Sequence, residues 1–352
     1  MRSHLNEARE MMAEMEKAWA RGVSTALAEV VAVEGSAYRR PGALMMMAAD
    51  GAMHGTVSGG CLEGDIFVRA EPLMQAESQT DGLSEAFGAA LLDYDLNEDD
   101  MWSLGLGCKG RIKVWVRALG PESPETEFIR RALQSGGGVL VTEIPTGTPR
   151  GWTPADGAMT GPQHLRSQME AVWDGGEPVL EGSLYVRAWR PPHTLIIAGA
   201  GHDAEPVAQM AREADFSVTV LDPRPAFNDE RHFPGVTHWV MEPEALTLAE
   251  HPEAAGAFWV VMNHHKDRDR RTLAAVSRLA PRFVGALGPW RRTEEILEGM
   301  DPDFKERVHG PLGLDVGGDT PFEVAISIVA QLMAESRHRS GGSLNRRDAL
   351  HA

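Results

Sequence analysis

Cysteine is nearly missing from this chain, whose 352 residues hold two, Cys61 and Cys108. Two thiols cannot build the disulfide framework of a small secreted domain or a multi-cysteine zinc site, and a reducing, cytoplasmic compartment fits that scarcity. Long apolar runs are missing too. No stretch approaches the ~20 residues that cross a bilayer, and the methionine-rich run from Ala43 to Ala49 is only strand-sized, so no membrane span is expected. Positive charge is in deficit. With 34 Lys and Arg against 51 Asp and Glu, the formal net charge of -17 repels phosphate backbones, which sets nucleic acid aside as a partner. The N-terminus lacks the apolar core and cleavage site of a signal peptide. Leu5, Ala8, Met12, Met15 and Trp19 recur there at helical spacing and predict an amphipathic helix.

What is present is enough apolar residue, 43%, for more than one core, and two domains are expected. Residues 1–188 predict an α+β unit. TALAEVVAVEG, ALMMMAADGAMHGTV, GRIKVWVRAL, GGVLVTEI and VLEGSLYVRAW have strand composition, CLEGDIFVRAEPLM and SPETEFIRRALQ have helical periodicity, and the stretch from Pro145 to Gly161 is expected to be a long loop. From residue 189 to 336 the rhythm changes. TLIIAGAG, a helix near Asp203 to Asp215, SVTVLD, AFWVVMN, a helix near Arg270 to Leu279, RFVGALG and a helix near Pro321 to Glu335 alternate as in a doubly wound parallel sheet. The fold class expected is therefore α/β, with a C-terminal Rossmann-type parallel sheet and an N-terminal α+β domain. The basic, aperiodic tail 337–352 is expected to be disordered.

Within the second domain, Gly199-Ala200-Gly201-His202-Asp203-Ala204 follows a strand and opens a helix, which is the G-x-G-x-x-G/A form with Ala last. Gly199 permits a tight turn, Gly201 lets backbone amides approach a pyrophosphate, and the helix start supplies partial positive charge. Asp222 closes the next strand about 20 residues on, where an acid can bond a ribose hydroxyl. A ligand-free strand-to-helix turn would use the same glycines. Arg224 is either a phosphate partner or a solvated loop charge. His264 and His265 leave the strand AFWVVMN, and adjacent histidines point apart on an extended chain, which disfavours a two-His metal site. Gly285 to Gly288 with Arg291 and Arg292 is a candidate anion loop, and Thr320, Pro321 and Glu323 predict a capped helix start.

In the first domain, Arg39 and Arg40 stand on a turn. Ser58, Gly59, Gly60, Cys61 and Glu63 run from a strand into a helix, with Cys61 expected in the first turn, where the helix dipole favours a thiolate. Cys108 lies in a glycine turn beside Lys109. Free cysteine is also a common buried hydrophobe, and only the glycine-rich setting of both thiols favours a functional reading.

The segments GSAYRRPGA, VSGGCLE, LGLGCKG, IAGAGHDAEPVA, VTVLDPRPAF, GALG and GLDVGGDTPFEVAISIVAQL together resemble the XdhC/CoxI family of accessory proteins for molybdenum hydroxylases. The resemblance implies binding of molybdenum cofactor as a chaperone, support of its sulfuration, and insertion into a xanthine dehydrogenase-like hydroxylase. A cysteine desulfurase is then the second partner, and a homodimer is left open. It marks Arg39, Arg40, Ser58, Gly59, Gly60, Cys61, Glu63, Cys108, Gly199, Gly201, His202, Asp222, Arg224 and His264 as cofactor contacts, with the thiols of Cys61 and Cys108 at the metal end. No catalytic residue is assigned. Tyr38 stands where the family has Pro, Asn263 where it has Thr, and Pro289-Trp290 where it has Ser-Arg. The glycine fingerprint alone does not choose between molybdopterin, in mononucleotide or dinucleotide form, and NAD(P), so an NAD(P)-dependent oxidoreductase with His264 or His265 as proton donor is the alternative.

Overall fold

A computed structural model describes residues 4–35, 38–77, 88–96, 110–154 and 160–345. Cys108 and Lys109 lie outside the described residues. The chain divides into two compact units, Arg2–Pro191 and Pro192–Ala352.

The first unit begins with α1 (His4–Ala20), followed by β1 (Thr25–Gly35), β2 (Leu44–Ala48), β3 (Met53–Gly55), α2 (Glu63–Glu77), β4 (Ala89–Asp95) and β5 (Gly110–Leu119). These strands make an antiparallel sheet ordered β3-β2-β1-β5-β4. Side chains alternate faces along a strand, so β1 and β2 are split between two cores. Leu27, Leu44 and Met46 pack with Met11, Met12 and Met15 of α1. Ala26, Ala28, Val30, Met45 and Met47 pack with Ile66, Ala70 and Met74 of α2. Burial on both faces explains why these strands read as continuous apolar runs.

The unit continues with α3 (Pro124–Gln134), β6 (Gly138–Glu143), β7 (Thr148–Pro154), α4 (Arg166–Trp173), β8 (Val179–Glu181) and β9 (Leu184–Trp189), giving a second antiparallel sheet ordered β7-β6-β9-β8. The loop expected from Pro145 to Gly161 thus contains a strand. Pro149 and Pro154 fit it because β7 is an edge strand, where a missing amide donor costs no ladder bond on the open side. A buried ionic network links elements of both sheets. The Glu29 carboxylate accepts from Arg187 Nη1 at 2.6 Å, Tyr185 Oη at 2.8 Å and Arg117 Nη2 at 3.0 Å, and Arg117 Nε donates to Glu125 at 2.9 Å.

The second unit holds β10 (Thr194–Ala198), α5 (Ala204–Glu213), β11 (Ser217–Leu221), β12 (Thr237–Trp239), β13 (Phe258–Val261), α6 (Lys266–Val276), β14 (Phe283–Ala286), α7 (Trp290–Leu297), α8 (Pro302–Glu306), β15 (Val308–His309) and α9 (Pro321–Ser336). Its sheet is wholly parallel in the order β12-β11-β10-β13-β14-β15. Leu195, Ile197, Val218 and Val260 face the core shared with α5 and α9, while Ile196, Ala198, Leu221 and Val261 face the core shared with α6 and α7. Strand order reverses between β10 and β13, and the crevice beyond their carboxyl ends is where such sheets bind ligands. Helix α6 starts at Lys266, earlier than its apolar periodicity suggests, because Asp267 and Asp269 favour its positive end. The expected cap of α9 is present, with Thr320 accepting from the Glu323 amide and Glu323 reaching back. Residues 337–345 follow α9 without helix or strand, and 346–352 lie outside the described residues.

Candidate functional site

The second unit builds its site where β10, β11 and β13 end. After the buried strand β10, Gly199 turns the chain with φ +118°, and a Cβ there would lie 2.6 Å from the Met262 carbonyl oxygen, so the position admits only glycine. Past it, the amides of Gly201, His202 and Asp203 meet no protein acceptor among the described residues. They stand at the start of α5, whose dipole adds partial positive charge. Across the crevice His264 takes a left-handed conformation with φ +57°, and its Nε2 lies 2.6 Å from Asp203 Oδ2. That contact joins the loops after β10 and β13 above Gly201. His202 is exposed, 3.6 Å from Glu205, and His265 is exposed at the start of α6.

Asp222 differs from its expected role. Its side chain is fully buried: Oδ2 accepts from the Ala200 amide at 2.9 Å and Arg224 Nη2 at 2.7 Å, and Oδ1 accepts from the Arg224 amide and Nε, each at 2.9 Å. Burial raises the carboxyl pKa, but these bonds, led by Arg224, outweigh it and hold Asp222 below the usual carboxylate range. The four donors use the acceptor sites a ribose hydroxyl would need. Arg224 likewise pairs with Asp222 through Nε and Nη2, while its guanidinium lies 4.5 Å from the ring centre of Phe227.

In the loop after β14, one of the two arginines expected at an anion site is already engaged within the protein. Arg292 donates to Asp269 and to the Leu287 carbonyl, and Asp269 also accepts from the Asn263 amide at 3.1 Å and Nδ2 at 2.9 Å. Asn263, in place of the family's Thr, helps anchor this carboxylate, and Arg292 is committed to it.

The first unit presents the loop 56–62. Glu63 accepts from the amides of Val57, Ser58, Gly60 and Leu62 at 2.9 to 3.1 Å and from the hydroxyls of Thr56 and Ser58. The amides of Gly59 and Cys61 donate to Thr56 Oγ1 and Ser58 Oγ. Every amide from 57 to 62 therefore has an internal acceptor, and the carboxylate of Glu63 occupies the loop's own anion nest. Burial pushes the carboxyl of Glu63 up, yet hydrogen bonds from Ser58 and Thr56 prevail and lower it to about 2. Ser58, Gly59, Gly60 and Glu63, marked as cofactor contacts, are thus occupied in shaping the turn, and the side chain it displays is the exposed thiol of Cys61. Cys61 precedes α2 by two residues and does not lie in its first turn, because the capping loop is longer than the sequence pattern suggests.

Tyr38 lies against this loop, its ring 2.7 Å from where a Gly59 Cβ would be. Arg39 turns to Glu7 at 3.4 Å and Arg40 to Glu177 at 3.9 Å. Burial raises the pKa of Glu7, with Arg39 opposing. Among the described residues no group of three or more His, Cys, Asp or Glu side chains converges as a metal site, and no helix is long and apolar enough to cross a membrane.

Three residues that organise these loops carry no sequence signal strong enough to single them out. Asp203 occupies a variable position of the glycine fingerprint, Tyr38 replaces a proline, and Asp269 meets Arg292 only through the fold.

A six-stranded parallel sheet with a glycine turn at its switch point, joined to an antiparallel α+β unit, defines an α/β protein with a Rossmann-type domain. Residues 195–332 match the XdhC Rossmann domain and residues 18–84 the XdhC and CoxI family. A Bacillus subtilis relative, named as a probable subunit of xanthine dehydrogenase, is 30% identical over 322 residues, 87% of this chain and 92% of its own. A crystal structure described as a xanthine dehydrogenase from Bacillus halodurans superposes with a TM-score of 0.74 at 26% identity, covering 95% of this chain and 98% of that one. The chain belongs to the XdhC and CoxI family.

Proposed function

We propose that this protein is an accessory protein that holds molybdenum cofactor for a xanthine dehydrogenase-type molybdenum hydroxylase, with the cofactor's phosphate on the 199–203 turn. The observation that carries this reading is the set of amides at Gly201, His202 and Asp203, which lack protein acceptors among the described residues at the start of a helix whose preceding turn admits only glycine. A phosphate supplies the acceptors those donors lack. His264, held by Asp203, faces the same turn and would orient the ligand from the β13 side. The cofactor, when bound, supplies a metal and dithiolene sulfur centre, and the chain supplies binding and release rather than turnover.

The first unit, taken by itself, displays an exposed thiol at Cys61, a soft donor once deprotonated. Cysteine desulfurase delivers sulfur in this reading, the hydroxylase receives the cofactor, and both steps belong to the cytoplasm. NAD turnover is disfavoured because Asp222 has no acceptor site left for a ribose hydroxyl.

The test is molybdenum and pterin analysis of protein purified from a host that makes the cofactor. Wild type is expected to retain molybdenum and Gly201→Val to lose it while still folding, as judged by circular dichroism. Equal molybdenum in both proteins overturns the reading, as does steady NADH consumption with a small carbonyl substrate.

A further inference from the structure

The carboxylate that usually faces a ribose in this architecture is turned inward here, and a cation stands in front of it. Asp222 is wholly buried with all its acceptor sites matched, two donors on each oxygen. Arg224 Nη2 is one hydrogen bond from Asp222 Oδ2, which is one hydrogen bond from the Ala200 amide, so the guanidinium stands beside the turn. Its Nη1 donates to nothing among the described residues, and 41% of the side chain is exposed. Phe227 fixes the guanidinium plane from one side.

We infer that Arg224 is the specificity-determining residue of this turn, selecting a ligand that places a phosphomonoester beside it over one that offers a ribose diol there. The inference rests on the reading of the 199–203 turn as a phosphate site. A diol hydroxyl needs an acceptor for its proton, and the exposed edge of Arg224 offers only donors. A phosphomonoester dianion offers only acceptors, in the planar spacing that a guanidinium matches with two parallel bonds. Partial neutralisation of Arg224 by Asp222 weakens its charge, but the buried carboxylate also holds the fork in place, so that less freedom is lost when an anion binds. A solvated surface ion pair would leave its carboxylate accessible, and Asp222 is not accessible at all. The phosphomonoester can come from a pterin phosphate or from a nucleotide 2′-phosphate.

NADPH and NADH test this directly, since they differ only in a 2′-phosphomonoester. Calorimetric titration of the full chain is expected to show NADPH bound about tenfold more tightly, the scale of one charge-assisted contact. Arg224→Gln is expected to abolish the preference. Because that change leaves Asp222 short of donors, Arg224→Lys is the second variant. It keeps the charge without the fork and should retain a reduced preference. Competition by the metal-free pterin phosphate, but not by its dephosphorylated form, that weakens in Arg224→Gln assigns the group to a pterin, and competition unchanged by that variant, or none, assigns it to a nucleotide. Equal affinity for the two probes in wild type, no NADPH binding at all, or a full preference surviving in both variants overturns the inference. Molybdenum retention is measured on the same proteins. Retained molybdenum without a phosphate preference defeats this inference alone, whereas loss of the parent reading shows as molybdenum equal in wild type and Gly201→Val.

Discussion

At the scale of single residues, Glu63 illustrates how one carboxylate can set a loop. It accepts from four amides and two hydroxyls, so replacing one oxygen by an NH2 group in Glu63→Gln turns donors toward donors. The expected cost is about 1 to 3 kcal/mol of stability, read from denaturant unfolding, together with a changed rate of Cys61 labelling by a thiol reagent. An unaltered labelling rate would show that the loop does not depend on this group. The pH dependence has a definite sign. The folded-state pKa is depressed from an ordinary 4.5 to about 2, so the contribution is complete above 4.5 and is lost as pH falls toward 2. The stability difference between wild type and Glu63→Gln should therefore shrink over that interval. A difference independent of pH would assign the effect to packing instead.

At the scale of elements, the two glycines of the turn separate a backbone requirement from a ligand requirement. A Cβ at Gly199 meets the Met262 carbonyl at 2.6 Å and needs φ +118°, whereas one at Gly201 meets Asp203 Oδ1 at 2.8 Å, the end of a side chain that can move, and the His264 ring at 3.5 Å, an ordinary contact. Gly199→Ala is expected to destabilise the protein by about 1 to 3 kcal/mol, and Gly201→Ala to leave thermal stability near wild type. Equal losses in the two variants would contradict this account. The β10, β11 and β13 strands and the helices α5 and α6 were legible in the sequence because each apolar run is short and bounded by Gly, Asp or Asn. The glycine turn was legible for the same reason. β7 was not, since its Pro and Gly residues resemble a loop until its place at a sheet edge is known. Asp222 was found by spacing, but its burial was not, because spacing does not reveal that Arg224 folds back over it. The commitment of Arg292 to Asp269 was hidden similarly, since it depends on α6 and α7 packing side by side.

At the scale of the whole molecule, the hydrophobic clusters of residues 5–189 and of residues 195–332 share no member, so each unit holds its own apolar cores. The first unit also holds the charged network on Glu29, with Arg117 stacked 3.7 Å from the Trp115 ring centre and Arg187 4.2 Å from that of Trp189. Arg187 depends most on this carboxylate, since removing it leaves that buried cation without the anion it pairs with, while Arg117 keeps Glu125. Glu29→Ala is therefore expected to cost about 3 to 5 kcal/mol, a large share of the ~5 to 15 kcal/mol that stabilises a typical fold. The loss should fall where the network sits. Hydrogen exchange should accelerate in β1, β5 and β9, which carry Glu29, Arg117, Tyr185 and Arg187, while β10 and β13 keep their protection because no member of the network reaches their cores. Uniform acceleration through both units would mean that the chain opens as one cooperative body, and that separate cores do not make separate units of stability here.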